Sequence, residues 1–279
     1  DAGFSIQQWT GAALTTEDAL PDGAHRLVPF QNNLVAFNNR NGGYSHDVDA
    51  TGAWTDIATT DSGSGCWAGA AVYSGSTSRL YRIVDEQAGA DTPARLSYLT
   101  SPGSVDTVVG TLEERFGRAM VADGPVVYFA GADTAANAIW GTIYKYDGTN
   151  ISIVARLTND YAIAAVVFRG KVYWGTAKGR LYSSDGTSLT PVRDFNTFGT
   201  TQPLRGLYAI EDALYVAFND VTLNQIVVWQ YDGESWSLPF TNPNTPLNVN
   251  VNALAVYNDR LVMNVNSTHG LFEVSSGLT

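Results

Sequence analysis

The chain has 279 residues, 44% of them apolar, which is enough for a sizeable core in one large domain or two small ones. Charged residues make up 15%, with 27 acidic against 16 basic side chains and a net charge of −11. That balance disfavours nucleic acid and anionic membrane surfaces as general partners, and the single cysteine, Cys66, excludes an intrachain disulfide framework and a Cys-based zinc cluster.

No window approaches the roughly 18 consecutive apolar residues of a membrane span, so no membrane insertion is expected. The longest clean run, Ala162–Phe168, has strand length. The chain opens at Asp1 without a basic-then-apolar leader, as expected of a processed chain or a segment of a longer one. Gly, Asn, Ser and Thr crowd the gaps between apolar runs, a turn-rich composition that points to an all-β fold. Thr111–Arg118 is the nearest approach to a helical pattern and reads as a loop or a single helical turn.

In chain order, Gly3–Trp9 reads as a strand standing ahead of the first full repeat. One pattern then recurs: an apolar strand, a short turn, a strand rich in Tyr and Val, a variable loop, a third strand, a Gly turn and a fourth strand. The copies are expected over 25–58, 67–110, 117–156, 162–195, 204–240 and 251–279. Their second strands align on Val35, Tyr81, Tyr128, Tyr173, Tyr215 and Val262, at spacings of 46, 47, 45, 42 and 47. The turns from third to fourth strand fall at Thr51-Gly52, Pro102-Gly103, Asp147-Gly148, Asp185-Gly186, Asp232-Gly233 and Ser276-Gly277, where Gly supplies the backbone freedom a tight hairpin needs.

Six copies of four strands at this period imply a single all-β domain, a six-bladed β-propeller of four-stranded antiparallel blades. Only Leu278 and Thr279 follow the last turn, too few for a fourth strand. The N-terminal strand within 1–10 is therefore expected to complete the last blade and close the ring.

Arg180–Phe195 resembles the ELWxxDGT repeats of bacterial and archaeal surface propellers, through Leu181, Asp185, Gly186, Thr187, Val192 and Asp194. Tyr182 stands where Trp is usual and Arg180 where Glu is. Ile143–Thr149 and Val228–Glu234 are weaker copies, and their Tyr-Asp-Gly hairpins are similar to those in propellers of phage tail and virion proteins. The resemblance implies the fold and an extracellular, cell-surface or virion setting, and it carries no catalytic residues.

Propellers bind ligands at the channel end built from inter-blade loops and second-to-third strand loops. Here those loops are rich in Asn, Asp, Thr and Ser, whose amides and hydroxyls suit sugar hydroxyls and equally suit turns. Arg40, Asn41, Asn137, Asn219, Asn224 and His269 are the polar ligand-binding candidates, with Trp140 and Tyr161 as stacking platforms. Most other aromatic residues occupy alternating strand positions, where packing accounts for them.

Asp47-Val-Asp-Ala-Thr-Gly52 matches D-x-D-x-[DNST]-G, so Asp47, Asp49 and Thr51 form a candidate calcium site, although the same hexapeptide serves as a hairpin turn. No other cofactor is expected. Thr59–Trp67 resembles the aspartate box of sialidases, with Trp67 one position late and Gly65 replacing Thr. Asp61, Glu113, Glu114 and Asp160 are the loop acids that a glycosidase would need as a facing pair. His25, His46 and His269 share no metal-ligand spacing. Cys66, beside Trp67, reads as a buried, inert thiol.

The sequence thus points to a non-catalytic extracellular or virion propeller serving adhesion or structure, whose partners are a glycan or protein receptor or neighbouring subunits. The alternative is a carbohydrate-active enzyme, a glycoside hydrolase or lyase with carboxylates at the channel mouth.

Overall fold

The structure, a computed structural model, describes residues 4–9, 14–20, 26–37, 44–47, 55–57, 65–74, 77–85, 92–135, 138–196, 203–204, 206–220, 225–242, 251–257, 260–265 and 271–273. Among these residues there is no helix; every element is a strand. Thr111–Arg118 accordingly forms the end of one strand, a bend at 113–115 and the start of the next.

The strands follow one another as antiparallel meanders. β1 (Phe4–Trp9) pairs with β2 (Leu14–Leu20). The first four-stranded sheet holds β3 (Arg26–Phe30), β4 (Asn33–Phe37), β5 (Tyr44–Asp47) and β6 (Thr55–Asp56). The second holds β7 (Gly65–Ser74), β8 (Thr77–Asp85), β9 (Arg95–Leu99) and β10 (Thr107–Thr111). The third holds β11 (Phe116–Asp123), β12 (Val126–Ala135), β13 (Ala138–Tyr146) and β14 (Ile151–Thr158). β15 (Ala162–Phe168), β16 (Lys171–Thr176), β17 (Arg180–Ser184) and β18 (Leu189–Asp194) make the fourth. β19 (Gly206–Ile210), β20 (Ala213–Asp220), β21 (Gln225–Tyr231) and β22 (Trp236–Asn242) make the fifth. A final three-stranded sheet contains β23 (Val251–Tyr257), β24 (Arg260–Val265) and β25 (Leu271–Glu273).

Repeated four-stranded antiparallel meanders are the blades of a β-propeller, the fold class the repeat implied. Among the described residues, no sheet closed by the N-terminal strand is seen. β1 pairs with β2, from Phe4 opposite Leu20 to Trp9 opposite Leu14, and not with the last sheet. The physical reason is proximity along the chain: a hairpin over 4–20 satisfies the main-chain groups of β1 across a short loop, whereas pairing with the tail requires closing a far longer one.

The first hairpin of each sheet keeps a near-constant register. Val28 faces Val35, Val121 faces Tyr128, Val166 faces Tyr173, Tyr208 faces Tyr215 and Ala255 faces Val262. In the second sheet the longer β7–β8 hairpin sets Ala70 against Tyr81. Two residues bridge the short hairpins, and the first of them has positive φ at Gln31 (53°), Gly124 (57°), Arg169 (48°) and Glu211 (52°). Such primed geometry matches the twist of the flanking strands, which is why residues other than Gly tolerate it here.

The turns from third to fourth strand are built differently. Gly148, Gly186 and Gly233 take φ values of 98°, 87° and 101°, and the preceding Asp folds its carboxylate back onto the turn. Asp147 Oδ1 accepts the amides of Thr149 (2.9 Å) and Asn150 (2.8 Å). Asp185 Oδ1 accepts those of Thr187 (2.9 Å) and Ser188 (3.1 Å), and Asp232 Oδ1 those of Glu234 (2.8 Å) and Ser235 (2.7 Å). The Tyr146 and Tyr231 hydroxyls donate to the carbonyls of Gly148 and Gly233, at 2.8 and 2.6 Å. Each residue of the Tyr-Asp-Gly repeat therefore has its own role in closing the hairpin.

The chain divides into two compact units, residues 1–138 with 144–153 and residues 139–143 with 154–279. In the first unit, one cluster joins Val28, Phe30, Val35, Phe37 and Ile57 to Cys66, Leu80 and Leu99. A second joins Tyr81, Ile83 and Leu96 to Met120, Phe129, Tyr144 and Tyr146. Both lie between successive sheets, so the alternating apolar residues bury sheet against sheet. A side chain fully buried in this way, such as Phe37 or Ile83, contributes about 1.5–3 kcal/mol. Close approach makes room a premium: a Cβ on Gly69 would overlap the Phe37 ring, and one on Gly117 would overlap Ile83. In the second unit, Phe168, Tyr173, Leu181, Phe195, Leu204, Leu214, Val216 and Phe218 form the equivalent cluster between the fourth and fifth sheets.

Candidate functional site

The inter-sheet linkers that the sequence assigned to the binding end are tied to neighbouring strands by main-chain and carboxylate bonds. In the first unit the linker before β11 returns to the residue before β9: the amide of Leu112 donates to the carbonyl of Ala94 (2.8 Å), and the amide of Ala94 to that of Glu114 (2.7 Å). In the second unit the amide of Ala177 donates to the Tyr161 carbonyl (2.9 Å), that of Phe195 to Gly179 (2.8 Å) and that of Leu204 to Thr176 (3.0 Å).

Two of the loop acids are built into this framework. Glu114 is fully buried, and its Oε2 accepts the Tyr144 hydroxyl at 2.7 Å. Asp160 is 1% exposed; its Oδ1 accepts the amides of Tyr161 (2.9 Å) and Lys178 (3.2 Å), and its Oδ2 lies 3.8 Å from Arg180 Nη1. Glu113 is exposed, and its amide donates to the same Tyr144 hydroxyl at 3.1 Å. Asp61 lies outside the described residues.

Trp140 falls within β13 and not at a loop end, and it is partly buried; Tyr161 lies in the linker before β15 and is also partly buried. Asn219 belongs to β20, facing Ile226 of β21, because that strand runs on to Asp220. Asp47 ends β5, opposite Asn33 of β4. Arg40, Asn41, Asp49, Thr51, Asn137, Asn224 and His269 lie outside the described residues, as does most of the stretch resembling an aspartate box. Cys66 is fully buried, and burial pushes its thiol up to about 12, so it offers no thiolate for chemistry at neutral pH.

Sequence reasoning missed an ion pair at the same linker. Arg115 Nη2 donates to Asp133 Oδ1 (2.8 Å) and its Nε to Oδ2 (3.3 Å), a two-point grip that fixes the guanidinium plane. The side chains are 29% and 16% exposed. Arg115 and Arg118 also lie 5.5 and 4.9 Å from the Phe116 ring centre. Arg115-Phe-Gly-Arg118 was itself a signal, a basic pair around an aromatic residue in a chain poor in cations.

Against known proteins, this chain matches in fold. A chain of the nidogen/laminin complex superposes with a TM-score of 0.59 at 15% identity, covering 82% of this chain and 83% of that one. The GH74 xyloglucanase from Xanthomonas campestris gives 0.60 at 14% identity, over 87% of this chain and 43% of the enzyme. The WD40 propeller domain of Doa1 gives 0.53 at 12% identity, over 91% and 92%. At these identities the likeness establishes the β-propeller fold alone. No family model matches the chain, and no curated protein matches it in sequence.

Proposed function

We propose that this chain is a non-catalytic propeller of an extracellular surface or virion, whose loop-bearing end recognises a receptor or docks neighbouring subunits. The observation that carries this reading is the fate of Glu114 and Asp160. Both carboxylates are buried, Glu114 accepting the Tyr144 hydroxyl and Asp160 the amides of Tyr161 and Lys178, bonds that tie each acid to its own framework. A glycosidase would need such acids facing a substrate across a cleft. The nidogen/laminin complex, one chain of which is similar in fold to this one, is a precedent for a protein partner. The Arg115–Asp133 pair, partly exposed beside the linker, supplies fixed polar groups for such a partner.

The test is affinity capture from the native surface or virion, together with a glycan array, using the wild-type chain and the Trp140→Ala and Tyr161→Ala variants. A retained partner whose capture is lost in either variant supports the reading. Polysaccharide cleavage abolished by Glu113→Gln would replace it with the hydrolase alternative.

A further inference from the structure

A groove of about 320 Å³ opens on the β17–β18 hairpin, within the segment that resembles the surface-protein repeat. Its cause is a break in register. Leu181 faces Arg193 and Tyr182 faces Pro191, so Val192 is an extra residue with no partner across the ladder. A bulge of this kind bends its strand and re-aims the flanking side chains. The apolar lining is Pro191 and Val192, with Tyr182 beside them, while Leu181 behind is fully buried in the core.

Arg180 and Asp194 are held by their neighbours, Arg180 also by Asp160 and the Tyr182 hydroxyl, and both remain partly exposed. Arg180 Nε lies 3.6 Å from Asp194 Oδ2, close enough for charge pairing and too long for a hydrogen bond. Asp194 Oδ1 accepts the Asn196 amide at 2.8 Å, which orients the carboxylate. The two side chains are 41% and 57% exposed. Arg193 is locked by aromatic rings, its guanidinium carbon 4.0 Å from the ring centre of Trp229, 4.9 Å from Trp236 and 5.1 Å from Phe195.

We propose that this groove is a carbohydrate subsite for a neutral pyranose, with the Tyr182 ring and apolar floor against a sugar face and the Arg180–Asp194 pair bracketing two adjacent hydroxyls. One hydroxyl accepts from the guanidinium while the other donates to Asp194 Oδ2, a pairing that uses both charges without needing a charged ligand. The charges around the groove balance, since Arg180 and Arg193 are offset by Asp194 and Asp160, so an anionic sugar gains no net attraction. The volume matches the lower range of ligand clefts, suited to one or two sugar units. The site does not depend on the loop-end reading.

The test titrates the full chain with cellohexaose, mannohexaose and xylohexaose, and with hexagalacturonate as the anionic control, following tryptophan fluorescence and calorimetric heat. Saturable binding of a neutral hexasaccharide is expected, weakened about tenfold or more in Tyr182→Ala and Asp194→Asn and retained in Tyr182→Phe. Asp194 is exposed, so its variant leaves folding intact, which circular dichroism checks. The proposal is overturned if no neutral hexasaccharide binds, if binding survives both variants, or if only hexagalacturonate binds.

Discussion

The Tyr144 hydroxyl donates to the Glu114 carboxylate at 2.7 Å while accepting the Glu113 amide at 3.1 Å, so one side chain of β13 holds two consecutive residues of the linker before β11. Tyr144→Phe removes both bonds without changing the packing of the ring, which stacks on Phe129 with centroids 5.2 Å apart. The variant should lose about 1–3 kcal/mol, because a buried carboxylate forfeits a donor. Denaturant unfolding should show a lower midpoint at an unchanged slope.

Arg82 and Asp106 form an ion pair with side chains 0% and 10% exposed, and Ser97 donates to the same carboxylate at 3.1 Å. Arg82→Met strands a buried charge and should cost about 3–5 kcal/mol. Adding Asp106→Asn should recover part of that loss. A double mutant no more stable than Arg82→Met alone would show that loss of Arg82 does not leave Asp106 as a costly stranded charge.

Gly117 and Ile83 meet without space for a methyl group between them. Gly117→Ala should destabilise by about 1–3 kcal/mol through overpacking, and Ile83→Ala by about 2–5 kcal/mol through a cavity. Combined, they should cost less than their sum, since the new methyl occupies space the isoleucine vacates. Strict additivity in thermal or denaturant unfolding would contradict this contact.

Asp185 and Asp232 have their carboxyls lowered from 3.8 to about 2, chiefly by the hydroxyls of Thr187 and Ser235 and then by the turn amides. A group whose folded-state value is depressed stabilises the fold above its unfolded value and loses that contribution as pH falls through the folded one. Stability should therefore decline between about pH 3.8 and pH 2. The Asp185→Asn/Asp232→Asn double variant should show a shallower decline over that window; an unchanged slope in acid titrations of unfolding would assign the effect elsewhere.

The sequence carried the blade repeat because strand alternation and Asp-Gly turns are local properties: Gly148, Gly186 and Gly233 sit where a positive φ is required. The opposite turns were less legible, since Gln31, Arg169 and Glu211 are not turn formers by type and take positive φ only because two strands force it. The partner of β1 was misjudged because the short tail after Gly277 suggested a blade in need of a strand, whereas the pairing is decided by a nearby main-chain edge, Leu14–Leu20. Tyr144's hold on Glu114 depends on two segments thirty residues apart meeting, and no periodicity encodes it. The groove arises from Val192 slipping out of register, which composition does not reveal.

The seven-residue offset shared by Val28 and Val35, Val121 and Tyr128, Val166 and Tyr173, Tyr208 and Tyr215, and Ala255 and Val262 makes these hairpins commensurate cassettes. A gene encoding them can duplicate, delete or shuffle one unit while the inserted copy presents its side chains in phase with both neighbours. The connecting segments between cassettes are accordingly the places where a foreign epitope can be grafted with least disturbance of the register.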